Sequence, residues 1–188
     1  MKKLMSLLLT ICSIAFSALG QAFDKDTKVI AAGVGLGSSL GSFNYSSQLP
    51  GLSLQYEQGM WEAGNSGVIS LGGYVGYKSF TFKTNAGNIS MENSWNYTIL
   101  GIRSAYHFQG LNNDKIDLYG GAMISYNILK YKYSDSLGTN TGTSGNYGST
   151  AGLTLYGGVR YFFSPKAAGF AELGYGVSYL NLGLAFKL

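Results

Sequence analysis

The residues of this chain whose side chains could most readily take part in a chemical reaction are His107 and Asp117. His107 is the only histidine among 188 residues, and a turn over 109–115 would place Asp117 opposite it, as a carboxylate is placed beside a general base. The sequence has no second histidine to supply another acid–base group, and its only cysteine is Cys12, so it provides no zinc site. We therefore predict a buried polar pair. We expect that the protein is not an enzyme and that it binds neither a cofactor nor a metal.

These residues must be positioned by β-strands, because apolar and polar side chains alternate along the chain with a period of two. At the C-terminus, Asn181, Gly183, Ala185 and Lys187 alternate with an apolar set. That apolar set is Leu180, Leu182, Leu184, Phe186 and Leu188. With similar segments upstream, the pattern predicts eight strands, within 30–37, 52–57, 69–78, 99–108, 117–128, 153–163, 171–177 and 180–188.

The connections between the predicted strands differ at the two ends. Long polar loops are predicted at 38–50, 80–94 and 132–149. Shorter turns are predicted at 58–66, 109–115 and 164–167, and a short link near 176–178 lies on the long-loop side. An even number of strands returns both termini to one side of an up-and-down meander. Short turns at one end and long loops at the other are typical of a bacterial outer-membrane barrel.

The distribution of charge favours a membrane barrel over a soluble one. Charged residues share the strand face that carries Gly, Ser and Tyr, and the opposite face is almost free of charge. Lipid as a solvent demands this arrangement, with polar groups inside and apolar groups outside. Aromatic residues predict two interfacial girdles. The girdle near the short turns comprises Tyr56, Trp61, Tyr106, Phe108, Tyr161, Phe163 and Phe186. The girdle near the long loops comprises Tyr77, Phe80, Trp95, Tyr97, Tyr126 and Tyr131. The alternative is a soluble sandwich with an aromatic core.

The inward charges are predicted to form a network. The turn at 164–167 would bring Arg160 and Glu172 together, with Lys187 on the next strand. Charges inside a narrow barrel must pair, because an unpaired buried ion is costly. The predicted members are Glu57, Lys78, Arg103, His107, Asp117, Arg160 and Glu172. The alternative interpretation is a gated ion path that opens when such pairs break.

Composition and the first residues indicate a secreted chain. Charged residues make up 12% of the sequence, against roughly 25% in soluble domains. The chain begins with basic residues, and an apolar stretch over 4–19 follows, with small residues at its end. This pattern predicts a signal peptide over 1–20, cleaved between Gly20 and Gln21. Without its two lysines the charge balance is nearly even, and no basic run remains that would suit nucleic acid.

Three segments carry a resemblance to a known family: ISLGGYVGY at 69–77, LYGGVRYF at 155–162 and AELGYGVSYLNLGLAFKL at 171–188. On these segments the chain resembles the outer membrane protein beta-barrel domain family, the small porin-family barrels common in Bacteroidota, and structurally OmpX and the OmpA barrel. The resemblance covers about residues 28–188. It implies outer-membrane lipid and the barrel assembly machinery as partners, with the terminal strand as the assembly signal. The family often ends in Phe, whereas here Phe186 stands two residues before the final Leu188.

The sequence therefore predicts an all-β, eight-stranded antiparallel up-and-down transmembrane β-barrel. We expect a signal peptide over 1–20, a short N-terminal lead over 21–27 and a monomeric barrel over 28–188, with both termini in the periplasm. The expected role is structural or surface-interaction based, because the loop at 132–149 is rich in hydroxyls and amides suited to an extracellular ligand. The alternatives are a narrow pore for ions or small solutes and an outer-leaflet lipid-modifying enzyme.

Overall fold

The computed structural model describes residues 21–40, 46–64, 66–86, 89–111, 113–135 and 148–188. The predicted signal peptide, with Gly20, and most of the predicted loop at 132–149 lie outside the described residues. In the described ranges every regular element is a strand, and none of them forms a helix long and apolar enough to cross a membrane. The strands are β1 Lys28–Leu36, β2 Ser47–Gln48, β3 Gly51–Glu62, β4 Gly67–Ala86, β5 Ile89–Phe108, β6 Ile116–Asp135, β7 Thr150–Phe162, β8 Ala167–Tyr175 and β9 Leu180–Lys187.

The strands close into a barrel in which each neighbouring pair is antiparallel. The order runs β1, β3, β4, β5, β6, β7, β8, β9, and β9 pairs with β1 from Val29–Lys187 to Leu36–Leu180. The two-residue strand β2 stands outside this ring and pairs with β4. The predicted eight-stranded up-and-down barrel is confirmed, because closure gives every barrel strand two neighbours and leaves the sheet without edges.

Along each strand, apolar side chains on the outer surface alternate with side chains that face the lumen, where the charged residues lie. A soluble barrel has the inverse arrangement, with apolar side chains inside. Ile102 and Ile124 are register partners on the outer surface, 67% and 69% exposed, whereas the adjacent Arg103 is 2% exposed inside. The outer surface is apolar on every barrel strand. This polarity follows from the period of two, because a one-residue step moves a side chain from the outside to the lumen.

The predicted long loop at 80–94 is wrong. Strands β4 and β5 pair continuously from Gly67–Phe108 to Ala86–Ile89, and β6 continues alongside β5 to Asp135. We call the parts of these strands that extend beyond the paired length of β7 the upper sheet, residues 79–86, 89–96 and 130–135. The polar composition of this segment predicts a loop, whereas a strand outside the membrane needs no apolar outer face.

The aromatic girdle predicted at this end, the loop end, is wrong in part. Tyr77 and Tyr126 face outward, but Phe80 and Tyr97 are buried on the inner side, with ring centres 6.1 Å apart. Trp95 and Tyr131 share that inner face, with ring centres 5.7 Å apart. These rings fill the mouth of the lumen at the loop end, where they pack against an apolar cluster. The buried members of that cluster include Ile99, Met123, Leu129 and Val177.

The other end, the turn end, carries short connections at 63–66, 109–115 and 163–166. The aromatic residues predicted there are exposed on the outer surface. Members of that girdle include Trp61, Tyr161 and Phe163. A ring of amphipathic aromatic side chains at one level is what a membrane interface favours.

Candidate functional site

A charged layer crosses the lumen near the turn end, with Arg160 at its centre. Its Nη1 donates to Asp117 Oδ2 at 2.9 Å, and its Nη2 pairs with the carboxylate of Glu57. The guanidinium lies over the Tyr119 ring, 4.4 Å from its centre. Arg160 is only 1% exposed, and both carboxylates are equally buried. One arginine thus bridges acids from β3 and β6, which ties three strands together through the lumen.

His107 belongs to the same group. Its Nδ1 lies 2.8 Å from Asp117 Oδ1, and its Nε2 lies 3.1 Å from Ser70 Oγ and 3.4 Å from Glu57 Oε1. In register, His107 stands opposite Tyr119, so its contact with Asp117 is diagonal. The ring is 1% exposed. Both ring nitrogens therefore have partners inside the barrel, and the ring is shielded from solvent.

A second group lies one layer further toward the loop end. Arg103 Nη2 pairs with Glu172 Oε1 at 2.6 Å, and its Nη1 donates to Gln55 Oε1 at 2.6 Å. The Tyr119 hydroxyl donates to the same Glu172 oxygen at 3.0 Å. The Arg103 guanidinium lies 4.2 Å from the centre of the Tyr156 ring. The charged groups therefore lie in two stacked layers, each with one arginine.

The predicted pairing of Arg160 with Glu172 is wrong. Arg160 stands opposite Phe170, and Glu172 stands opposite Gly158, so the turn does not bring the two charges together. Arg160 instead pairs with Asp117, its register partner on the neighbouring strand β6, and with Glu57 across the lumen. Arg103 pairs with Glu172 across the lumen, on a strand that is not its neighbour. Lys187 lies over the Phe162 ring, 4.3 Å from its centre. A lumen only wide enough for side chains allows contacts between strands on opposite sides of the barrel.

Lys78 is buried but lies outside the charged layers. Its Nζ donates to the Gly37 carbonyl oxygen at 2.7 Å and lies 5.5 Å from the centre of the Phe80 ring. No ion pair involves Lys78 in the described part of the chain. It therefore contacts the loop that follows β1 at the mouth of the barrel, and it does not join the network predicted for it.

The segment before β1 closes the turn end, which sequence reasoning missed. Phe23 is buried and stacks on His107, with ring centres 3.7 Å apart and planes 9° apart. Gln109 Nε2 donates to the Phe23 carbonyl at 3.0 Å, and the Ala22 amide donates to Asn113 at 3.2 Å. The available signal was the apolar pair Ala22–Phe23 directly after the predicted cleavage site. The segment predicted as a short lead at 21–27 therefore plugs the lumen at the turn end.

Replacing Phe23 by alanine is expected to increase the reaction rate of His107 with diethyl pyrocarbonate about tenfold. Without the Phe23 ring, the segment before β1 is held less tightly and leaves the lumen more often. Formation of carbethoxyhistidine reports the rate for this single site, because the chain has one histidine. Phe163→Ala is the matched control, since Phe163 lies at the same end but faces outward. Equal rates in the two variants would show that Phe23 does not shield the ring.

The lumen between the charged layers and the apolar mouth is nearly filled. A cavity of about 30 Å³ lies there, lined by Tyr74, Arg103, Thr154, Tyr156 and Asn181 among others. That volume holds one or two water molecules. Among the described residues no cluster of three or more His, Cys, Asp or Glu is arranged to hold a metal ion. The described interior is packed with charged layers and with apolar clusters.

The upper sheet has two chemically different faces. Its inner face continues the aromatic packing of the mouth. The residues on that inner face include Phe80, Phe82, Trp95, Tyr131 and Tyr133. Its outer face is polar. The residues on that outer face include Ser79, Thr81, Lys83, Glu92, Ser94, Asn96, Lys130, Lys132 and Ser134. The outer face of the upper sheet is therefore polar, with Lys83, Lys130 and Lys132 exposed.

A closed antiparallel barrel with charged residues inside and apolar residues outside defines the class of transmembrane β-barrels. No protein-family model matches this chain, and no curated protein does. The predicted membership of the outer membrane protein beta-barrel domain family therefore stays a prediction.

Several solved structures are similar to the chain in outline. Ail of Yersinia pestis, in complex with the heparin analogue sucrose octasulfate, is 15% identical with a TM-score of 0.48, over 86% of this chain and 96% of that one. Neisserial surface protein A is 19% identical with a TM-score of 0.46, over 86% of this chain and 96% of its own. The Yersinia pestis outer membrane protein Ail in a phospholipid bilayer nanodisc is 15% identical with a TM-score of 0.45, over 87% of this chain and 100% of that one. Likeness at this level carries no argument about function, and the strand pairing alone establishes the barrel.

Proposed function

We propose that the protein is an integral barrel of the bacterial outer membrane with a structural or surface-interaction role. The observation that carries the proposal is the continuous apolar outer surface around buried charges, which only a lipid solvent stabilises. In this orientation the turn end and both termini face the periplasm, and the upper sheet stands outside the cell. The upper sheet and the outer loops are then the parts that meet an extracellular ligand.

A packed lumen favours this role over that of a pore. Arg160 and Arg103 each neutralise carboxylates across the lumen, and Phe23 covers the lower layer from the turn end. An ion would have to break these pairs and leave buried charges without partners, which costs several kcal/mol. We therefore propose a barrel that displays its outer surface and does not conduct.

The position of His107 favours a non-enzymatic role. A lipid-modifying enzyme of the outer leaflet would need its acid–base group at the outer rim, whereas His107 is buried at the opposite end beneath Phe23. The chain has no other histidine. The proposed role accordingly has neither a catalytic residue nor a cofactor.

We propose that the N-terminal part of the chain directs secretion and that its last strand directs assembly into the membrane. Cleavage between Gly20 and Gln21 would leave Phe23 near the new N-terminus, where it can enter the lumen. On the terminal strand β9, Leu182, Leu184 and Phe186 are exposed on the outer surface. An apolar strand face of this kind supports recognition by the barrel assembly machinery and contact with outer-membrane lipid.

The orientation is tested by cysteine labelling of intact cells with a membrane-impermeant maleimide. The mature chain has no cysteine, because Cys12 lies in the predicted signal peptide. Asn85→Cys, at the exposed tip of the upper sheet, is expected to react in intact cells. Lys166→Cys, at an exposed turn of the other end, is the matched control and is expected to react only after permeabilisation. The reverse pattern, or release of the protein by urea washing, would contradict the proposal.

A further inference from the structure

The lower charged layer, which is the one nearer the turn end, holds two carboxylates but only one arginine. Glu57 and Asp117 both pair with Arg160, and each of the three residues is at most 2% exposed. In the layer above, one arginine pairs with one glutamate. His107 contacts both carboxylates of the lower layer. Without a charge on this ring, the lower layer would keep a buried negative charge that no cation balances, which is costly.

The hydrogen bonds around His107 require a proton on each ring nitrogen. Nδ1 faces Asp117 Oδ1 at 2.8 Å, and this carboxylate only accepts, since its other oxygen accepts from Arg160 Nη1. Nε2 faces Ser70 Oγ at 3.1 Å and Glu57 Oε1 at 3.4 Å. The single hydroxyl proton of Ser70 is directed to Glu57 Oε1, at 2.6 Å. Both ring nitrogens therefore donate, which is the pattern of an imidazolium.

The other charged groups near His107 have separate partners. Lys187 lies over the Phe162 ring and forms no ion pair with a carboxylate in the described part of the chain. Asp24, in the segment before β1, accepts from Gln109 Nε2 at 2.9 Å. The titratable and charged groups that face the ring itself are Glu57 on β3, Asp117 and Tyr119 on β6, and Arg160 on β7.

The segment before β1 is attached to this ring. Phe23 stacks on His107 with ring centres 3.7 Å apart, and Tyr119 also stacks on it, with centres 5.3 Å apart. A cation that is shielded from water and stacked on aromatic faces is stabilised by about 2 kcal/mol or more. Further along the segment, the Asp26 amide donates to the Gly59 carbonyl at 2.9 Å. The charge on His107 therefore stabilises the docked position of Phe23.

We propose that His107 is a buried imidazolium that holds the segment before β1 in the lumen, and that this segment leaves the lumen when the ring loses its proton. Loss of the proton leaves Glu57 and Asp117 with Arg160 alone and turns a ring lone pair toward an acceptor oxygen. Water that enters as Phe23 leaves relieves both costs. The docked state is therefore favoured while the ring is protonated, and rising pH removes that preference.

The test is cleavage of the refolded barrel, beginning at Gln21, by lysyl endopeptidase after Lys25 between pH 7 and pH 10. A synthetic peptide of residues 21–30 gives the reference rate at each pH. The relative rate of cleavage in the barrel is expected to rise about tenfold with pH, since a shielded cation–π contact contributes at least that factor. His107→Gln is expected to be cleaved rapidly and equally at every pH.

Two further variants calibrate this measurement. Gly59→Ala places a methyl group against the Asp24 carbonyl, so it detaches the segment without touching His107 and supplies the rate of the open state. Phe163→Ala lies at the same end but faces outward, and it is expected to keep the pH dependence of the unaltered chain.

The protonation of the ring is measured on the unaltered chain by proton–nitrogen NMR of the refolded barrel, which needs no variant that folds. Two ring N–H groups at pH 7 are expected, and one N–H group would overturn the proposal. A cleavage rate that does not change with pH, or an equal rise in His107→Gln, would also overturn it. The labelling of Asn85→Cys reports the location of the barrel separately, so the two proposals can fail independently.

Discussion

Replacing Arg160 by alanine is expected to lower the free energy of unfolding by about 3–5 kcal/mol, because it leaves buried charges without a partner. Arg160 is 1% exposed and bridges Glu57 and Asp117, so both carboxylates would lose their cation inside the lumen. The measurement is a urea titration of the refolded barrel in lipid vesicles, followed by the gel shift between folded and heated protein.

The control for this prediction separates the cost of unpaired charge from the loss of packing. Arg160→Met combined with Glu57→Gln and Asp117→Asn removes the charges together and is expected to recover most of the lost stability. Lys166→Ala, at an exposed turn, is expected to change the free energy of unfolding by less than about 0.5 kcal/mol. A loss below about 1 kcal/mol in Arg160→Ala would mean that the lower charged layer contributes little to stability.

Replacing Ile124 by arginine is expected to cost about 2–4 kcal/mol in vesicles, because a charged side chain would face the hydrocarbon. Ile124 is 69% exposed and stands beside Ile102, which is 67% exposed, within the apolar surface. A soluble barrel would accept a charge at so exposed a position with almost no change in stability. The substitution therefore distinguishes a lipid-facing surface from a water-facing one.

The same urea titration measures this effect, and depth along the barrel supplies the control. Asn85→Arg introduces the same side chain at the exposed tip of the upper sheet and is expected to be neutral within about 0.5 kcal/mol. Tyr126→Arg, two residues closer to the loop end on the same face, is expected to cost less than Ile124→Arg. Equal stability of Ile124→Arg and Asn85→Arg would contradict a transmembrane position for the barrel.

Much of the barrel follows from local pattern. The alternation that ends in Leu184, Phe186 and Leu188 assigns each residue to the outside or the lumen, because neighbouring side chains on a strand point in opposite directions. Counting such segments led to eight strands, and an even count led to an up-and-down meander. Composition misleads where the strands extend beyond the apolar surface, because it predicts a loop over 80–94 although residues 80–86 pair with residues 89–95.

The sequence by itself determined the number of barrel strands and which charges face the lumen, since these depend on residues close together in the chain. Only the tertiary structure decided that Arg160 pairs with Glu57 and Asp117 while Arg103 pairs with Glu172. It also decided that Phe23 seals the lumen over His107. Ring closure, stagger and lumen width set these partners, because they bring side chains from distant strands within reach across the barrel.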